Sequence, residues 1–141
     1  MLSMNYREAT CQQLNQFYKQ NRDKARAKPQ DIMCAAINDD GKVCAVLRLL
    51  SYDTFLFLRS VLTANEYRGQ GIASELTRYA LKQHACITYT LPTPLAVSLY
   101  QRLGFTTVPK QEIPEQLSAS YRRFRQGNDG ARVMVINSGL G

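Results

Sequence analysis

The sequence predicts an α/β (α+β) fold, and three observations predict it. Phe55–Leu62 is an eight-residue run rich in aromatic and branched side chains, free of glycine and proline, which marks a buried strand. Ile72, Leu76 and Ala80, with Ala73 and Leu81 beside them, recur at the spacing of one helix face. Between the two lies a glycine-bearing turn, and strands and helices go on alternating along the chain with no linker, internal repeat or low-complexity tract.

Taken in order, Met4–Glu8 reads as a short first strand. Leu14, Phe17 and Tyr18, in a segment beginning near Thr10, give an amphipathic helix that ends by a basic cluster, and Pro29 bars any continuation. Ile32–Asn38 and Val43–Leu50 are two strands joined by the hairpin turn Asp39-Asp40-Gly41-Lys42. The strand, turn and helix of 55–81 follow, then a strand at Ala85–Leu91. Thr93 is a good helix N-cap with Pro94 at the first helical position, Leu95, Leu99 and Leu103 mark one face, and Gly104 suits the left-handed residue after the helix. A short strand at Thr106–Val108, a polar segment with a helix over Glu115–Arg125, and an apolar strand at Arg132–Asn137 complete the chain.

Composition narrows the function classes. A chain of 141 residues with 45% hydrophobic and 21% charged residues is ordinary for one globular domain with a proper core. No apolar run approaches the roughly 20 residues that span a bilayer, and the N-terminus lacks the apolar stretch of a signal peptide, so a cytoplasmic protein is expected. Cys11, Cys34, Cys44 and Cys86 form no CxxC pair and are expected to be reduced core residues. One histidine and scattered cysteines make no metal-site pattern. The net charge of +7 gathers at Lys19, Arg22, Lys24, Arg26 and Lys28, opposed by Asp23, and at Arg122, Arg123 and Arg125. Such runs read first as solvated faces, and few stacking aromatics accompany them, which does not favour nucleic acid.

The turn Arg68-Gly69-Gln70-Gly71-Ile72-Ala73 carries the chemistry. A helix start presents unpaired N–H groups and the positive end of its dipole, and Gly71 with the small Ala73 lets phosphates approach that backbone. It is neither a P-loop nor a dinucleotide fingerprint, since Gly-Lys-Ser/Thr and Gly-x-Gly-x-x-Gly are both absent. It resembles the R/Q-x-x-G-x-G/A motif of the GNAT superfamily of N-acyltransferases, read here as Arg68, Gly71 and Ala73 after a Glu66-Tyr67 lead-in. The segment Leu99-Tyr100-Gln101-Arg102-Leu103-Gly104-Phe105 looks like that family's second signature, and 32 residues between Arg68 and Tyr100 leave room for a helix, a strand and a turn.

The resemblance implies one GNAT domain over 1–141. Its sheet would be mixed and mostly antiparallel, with two central parallel strands (Phe55–Leu62 and Ala85–Leu91) splaying apart and helices on both faces. It implies acetyl-coenzyme A as cosubstrate and no metal. The coenzyme would be held by Leu62 and Thr63 at the strand end, by Arg68, Gly69, Gln70, Gly71, Ile72, Ala73 and Ser74 in the turn, and by Thr93, where the family often has asparagine. Tyr100 would be the catalytic acid. A neutral amine would attack the thioester directly, with a backbone N–H at the end of the 55–63 strand available to the oxyanion and a phenol to the leaving thiolate. Glu66, Tyr52, Asp53 and His84 each have a more ordinary structural reading, so no general base is named. A coenzyme-binding regulatory module and a basic nucleic-acid-binding protein are the alternatives. The acceptor is an unidentified primary amine of a small molecule or peptide, an acidic one if the basic stretch 19–28 meets it. The family's late strands allow a homodimer.

Overall fold

Thr10 starts the first helix by a reciprocal cap: its Oγ1 accepts from the Gln13 N–H at 3.1 Å, while its own N–H donates to Gln13 Oε1 at 2.9 Å. That helix, α1 (Cys11–Gln20), follows strand β1 (Met4–Glu8) in a computed structural model that describes residues 3–140. Next come β2 (Ile32–Asn38), β3 (Val43–Ser51), β4 (Leu56–Thr63), α2 (Ile72–Gln83), β5 (Ile87–Thr90), α3 (Val97–Leu103), β6 (Thr106–Thr107), α4 (Ser118–Gly127) and β7 (Met134–Asn137). The seven strands form one sheet in the order β1-β2-β3-β4-β5-β7-β6. Every pairing is antiparallel except that of β4 with β5.

Period-2 alternation along the central strands explains how both faces are covered. On β2, Cys34 and Ala36 pack with Ile72, Leu76 and Ala80 of α2, whereas Met33, Ala35 and Ile37 pack with Leu14, Phe17 and Tyr18 of α1. The two helices therefore cover opposite faces, and Met33–Ile37 are buried throughout. The C-terminal part adds smaller clusters, Leu117 against Phe55 and Phe57, and Tyr121 of α4 against Val108 and Val133. Among the described residues, no helix is long and apolar enough to cross a membrane.

Most expected elements stand within a residue or two, and the differences have local causes. The expected strand Ala85–Leu91 is paired only over Ile87–Thr90. Thr93 does not cap a helix through its side chain. Pro94–Ala96 forms a 3-10 turn in which the Thr93 carbonyl accepts from the Ala96 N–H at 2.9 Å, and the α-helix begins at Val97. That turn shifts the periodicity and sends Leu95 outward, 95% exposed, while Tyr100 turns inward. All four cysteines are free, Cys34 and Cys44 buried, Cys11 and Cys86 partly so.

Candidate active site

The site begins where β4 stops behaving as a regular strand. Val46 faces Leu62 and Arg48 faces Arg59, so Ser60 and Val61 together oppose Leu47, a β-bulge. Ser60 sits in the left-handed region with φ 56°, unusual for a residue other than glycine. Two side chains hold it there. The buried Tyr18 hydroxyl donates to the Ser60 carbonyl at 2.7 Å, and Arg48 Nε approaches Ser60 Oγ at 3.4 Å while its Nη1 pairs with the buried Asp31 at 3.1 Å. Burial is the main cause that raises the Tyr18 phenol above its ordinary value, so it remains a donor.

The bulge comes where β4 parts from β5. Their parallel pairing covers Leu56 with Thr88, Phe57 with Tyr89 and Leu58 with Thr90, and then stops although β4 runs on to Thr63. The buried Thr90 hydroxyl donates to the Leu58 carbonyl at 3.1 Å, closing the last paired position. Beyond it the strand leaves backbone groups without a β5 partner, and a cleft opens at the carboxyl ends of the two parallel strands.

Two hollows lie in that cleft. The larger, about 620 Å³, runs from Leu62 and Thr63 to the turn at Arg68, Gly69 and Gly71 and the first residues of α2, Ile72, Ala73 and Ser74. Gly69 and Gly71 have φ of 78° and 76°, which a side chain would strain, and beyond their own chain neighbours nothing crowds the place where a Cβ would stand on either. Gly71 is the N-cap of α2, so no side chain caps the helix, and Ile72, Ala73 and Ser74 of that uncapped first turn line the cavity. Among the described residues two cations, Arg68 and Arg102 of α3, line the cavity and no carboxylate does. Arg68 Nε also donates to the Thr63 carbonyl at 3.1 Å, tying the turn to the end of β4. An elongated polyanion with an apolar arm fits these walls, the anion on the helix start and the arm along β4.

The smaller hollow, about 270 Å³, holds Tyr100 together with Asp23, Arg59, Thr90 and Phe124. Val61, Thr93 and Ala96 line both hollows, so the two meet at a shared wall beside the bulge. Tyr100 is 6% exposed, its ring edge-on to Phe105 at 5.3 Å, and burial pushes its phenol up to about 12, with Thr90 the smaller, opposing influence.

The sequence-predicted coenzyme residues therefore line one cavity, with a single exception. The Gln70 side chain is exposed and turns back to the Glu66 carbonyl at 3.4 Å. Of the residues weighed as a base, His84 Nε2 meets Glu8 at 2.8 Å and Glu66 pairs with Lys42 at 3.1 Å. Tyr52 stacks on Phe55, before the start of β4 and so at the far end from the cleft. Lys24 and Arg26 border another surface hollow, which shares Asp23 with the Tyr100 hollow, and neither of them lines the Tyr100 hollow itself. Sequence reasoning missed Arg59, Asp23 and Tyr18. Arg59 hides in an apolar strand run, and only tertiary structure brings the other two to β4.

The family model for the acetyltransferase (GNAT) domain matches residues 29–107, more than half of the chain. No curated protein matches the sequence. Among solved structures, N-acetylglutamate synthase from Neisseria gonorrhoeae, complexed with coenzyme A and N-acetyl-glutamate, is similar at TM-score 0.77 and 13% identity over 98% of this chain. The chain spans only 36% of that protein's length. The ribosomal-protein-S18-alanine N-acetyltransferase from Escherichia coli is similar at TM-score 0.71 and 15% identity, over 99% of this chain and 96% of that one. A GNAT family N-acetyltransferase from Escherichia coli in complex with CoA is similar at TM-score 0.65 and 19% identity, over 94% and 81%. At these identities the likeness is one of fold.

Proposed function

The chain belongs to the GNAT acetyltransferase family, and on that footing we propose that residues 1–141 act as one N-acetyltransferase domain transferring the acetyl group of acetyl-coenzyme A to a primary amine in a ternary complex. The observation that carries this reading is the larger cavity. An uncapped helix start with glycines at positive φ lies at one end of it, the stretch of β4 without a β5 partner runs along its side, and among the described residues no carboxylate lines it. Two of the similar solved structures contain coenzyme A, which supports the same ligand here. The free cysteines of the described residues support a reducing compartment such as the cytoplasm.

In this reading the helix start and Arg68 hold the diphosphate, and Leu62 and Thr63 offer backbone groups to the pantetheine arm. The thioester supplies an activated acyl carbon, placed where the two cavities meet. The acceptor enters from the Tyr100 side as the neutral amine, its nitrogen bonds to the carbonyl carbon and releases a proton to solvent, and the carbon–sulfur bond breaks. The bulge gives the oxyanion fixed backbone donors that need no reorganisation. Tyr100, held near 12, keeps its proton at neutral pH and offers it to the departing sulfur. Holding both substrates in one cleft removes the entropy of their encounter.

Thermal melting with and without coenzyme A and acetyl-coenzyme A tests the binding half. Ligand at one hundred times its Kd stabilises by about 2.7 kcal/mol, a shift of several degrees. Free-thiol release with a panel of amines tests the transfer half. No melting shift with either ligand would overturn the reading, while binding without thiol release across the panel would mark a coenzyme-binding module.

A further inference from the structure

Acetyl transfer leaves the cation of the smaller cavity without a task. Arg59 lines it beside Tyr100, its guanidinium stacked over the Phe57 ring at 4.9 Å. The ion pairs among the described residues join Lys42 to Glu66, Arg48 to Asp31, Arg78 to Glu75 and His84 to Glu8, and none of them uses Arg59. Arg48, on the neighbouring strand, is thus neutralised by Asp31, whereas Arg59 is not. Burial and the proximity of Arg48 and Arg123 all weaken its hold on its proton, the signature of a half-buried cation set among like charges. Among the described residues Asp23 is the only carboxylate lining this cavity, and its Oδ1 is engaged by the Ala25 N–H at 2.8 Å.

A planar fork of donors fixed by an aromatic ring, without a carboxylate of its own, is a ready partner for an anion that binds in two-pronged fashion. A volume of about 270 Å³ lies just below the usual range of small-molecule sites and suits a compact ligand. Building on the acetyltransferase reading, we infer that this cavity takes a small acceptor whose amine is accompanied by a carboxylate, the carboxylate docking on Arg59 and the amine lying towards Asp23 and Tyr100. The basic stretch 19–28, the sequence's own hint of an acidic acceptor, contributes Asp23 rather than its lysines and arginines to this cavity.

Glycine, β-alanine and 4-aminobutyrate, each beside its carboxamide, are assayed by free-thiol release, with rates compared at equal concentrations of neutral amine. The wild type should prefer the carboxylates by about 10- to 100-fold in kcat/KM, mostly through KM, the range of a hydrogen bond to a charged group. Arg59→Gln should bring the ratio to within about threefold of unity, and Arg59→Lys, which keeps the charge and loses the fork, should fall between. The melting shift with coenzyme A, read on all three proteins, reports that the fold and the larger cavity are intact. Its absence from the wild type sinks the acetyltransferase reading itself. A shift with no carboxylate preference, a preference that survives Arg59→Gln, or no turnover of any carboxylated amine overturns the assignment of Arg59 alone.

Discussion

Tyr18→Phe isolates the support beneath the bulge. The ring stays, so no cavity opens, and what is lost is one part-buried hydrogen bond of 2.7 Å from the phenol to the Ser60 carbonyl. Tyr18 is 1% exposed, so water does not readily take the place of its hydroxyl, and losing the hydrogen bond to a part-buried carbonyl costs about 1–2 kcal/mol. For a chain of this size each kcal/mol lowers the melting temperature by about 3 °C, which predicts a fall of about 3–6 °C. Ser60 pays for its left-handed φ with about 1 kcal/mol of strain, so the unsupported residue gains by relaxing. Relaxation moves the backbone donors of the bulge, and a misplacement near 1 Å costs about 100-fold in rate. Scanning fluorimetry and steady-state kinetics read the two effects on one preparation. A melting point within 1 °C of wild type together with unchanged kcat would refute the idea that Tyr18 sets the bulge.

Other outcomes follow from the same geometry. Tyr100→Phe should lower kcat by about 100-fold, the usual worth of a placed acid, while the coenzyme's melting shift persists because Tyr100 does not line the larger cavity; a kcat within twofold of wild type counts against the acid role. Gly71→Ala and Gly41→Ala both force alanine to a positive φ and should each cost about 1 kcal/mol, but calorimetry should show weakened coenzyme binding only for Gly71→Ala. Burial raises Cys34 from 9.0, and Tyr100 from 10.0, to about 12, so the folded state holds protons that the unfolded chain gives up. Their stabilisation is complete below about pH 9 and is lost as pH rises from there through about 12, and denaturant titrations should show Cys34→Ala flattening the first part of that decline.

Turns that need special residues were legible in the sequence. Asp39-Asp40-Gly41-Lys42 announces a hairpin because Gly41 supplies a φ of 83°, and the strands on either side follow from apolar runs that the turn delimits. Gly104, expected as the left-handed residue after its helix, is legible for the same reason, since its φ of 104° is one that side chains avoid. The bulge is not legible. Ser60 takes its positive φ from contacts with Tyr18 and Arg48, 42 and 12 residues away in the chain, and nothing local asks for it. Arg59 is hidden likewise, because a strand pattern records alternation and burial, not which cation lacks a partner. Leu95 misled the periodicity because a 3-10 turn precedes α3 and rotates its apolar stripe.

The three residue pairs between β4 and β5 have a mechanical consequence. They are the parallel ladder that joins the β1–β4 part of the sheet to β5, β7 and β6. The cleft thus exists because the sheet carries a fault line, and a ligand arm lying along the open end of β4 would lengthen the seam by standing in for missing ladder. Amide exchange should sense this as slower opening along β4 and β5, some of it far from any atom of the ligand. An open cleft for two substrates and a continuous sheet compete for the same backbone groups, and at Leu58 this chain changes from one to the other.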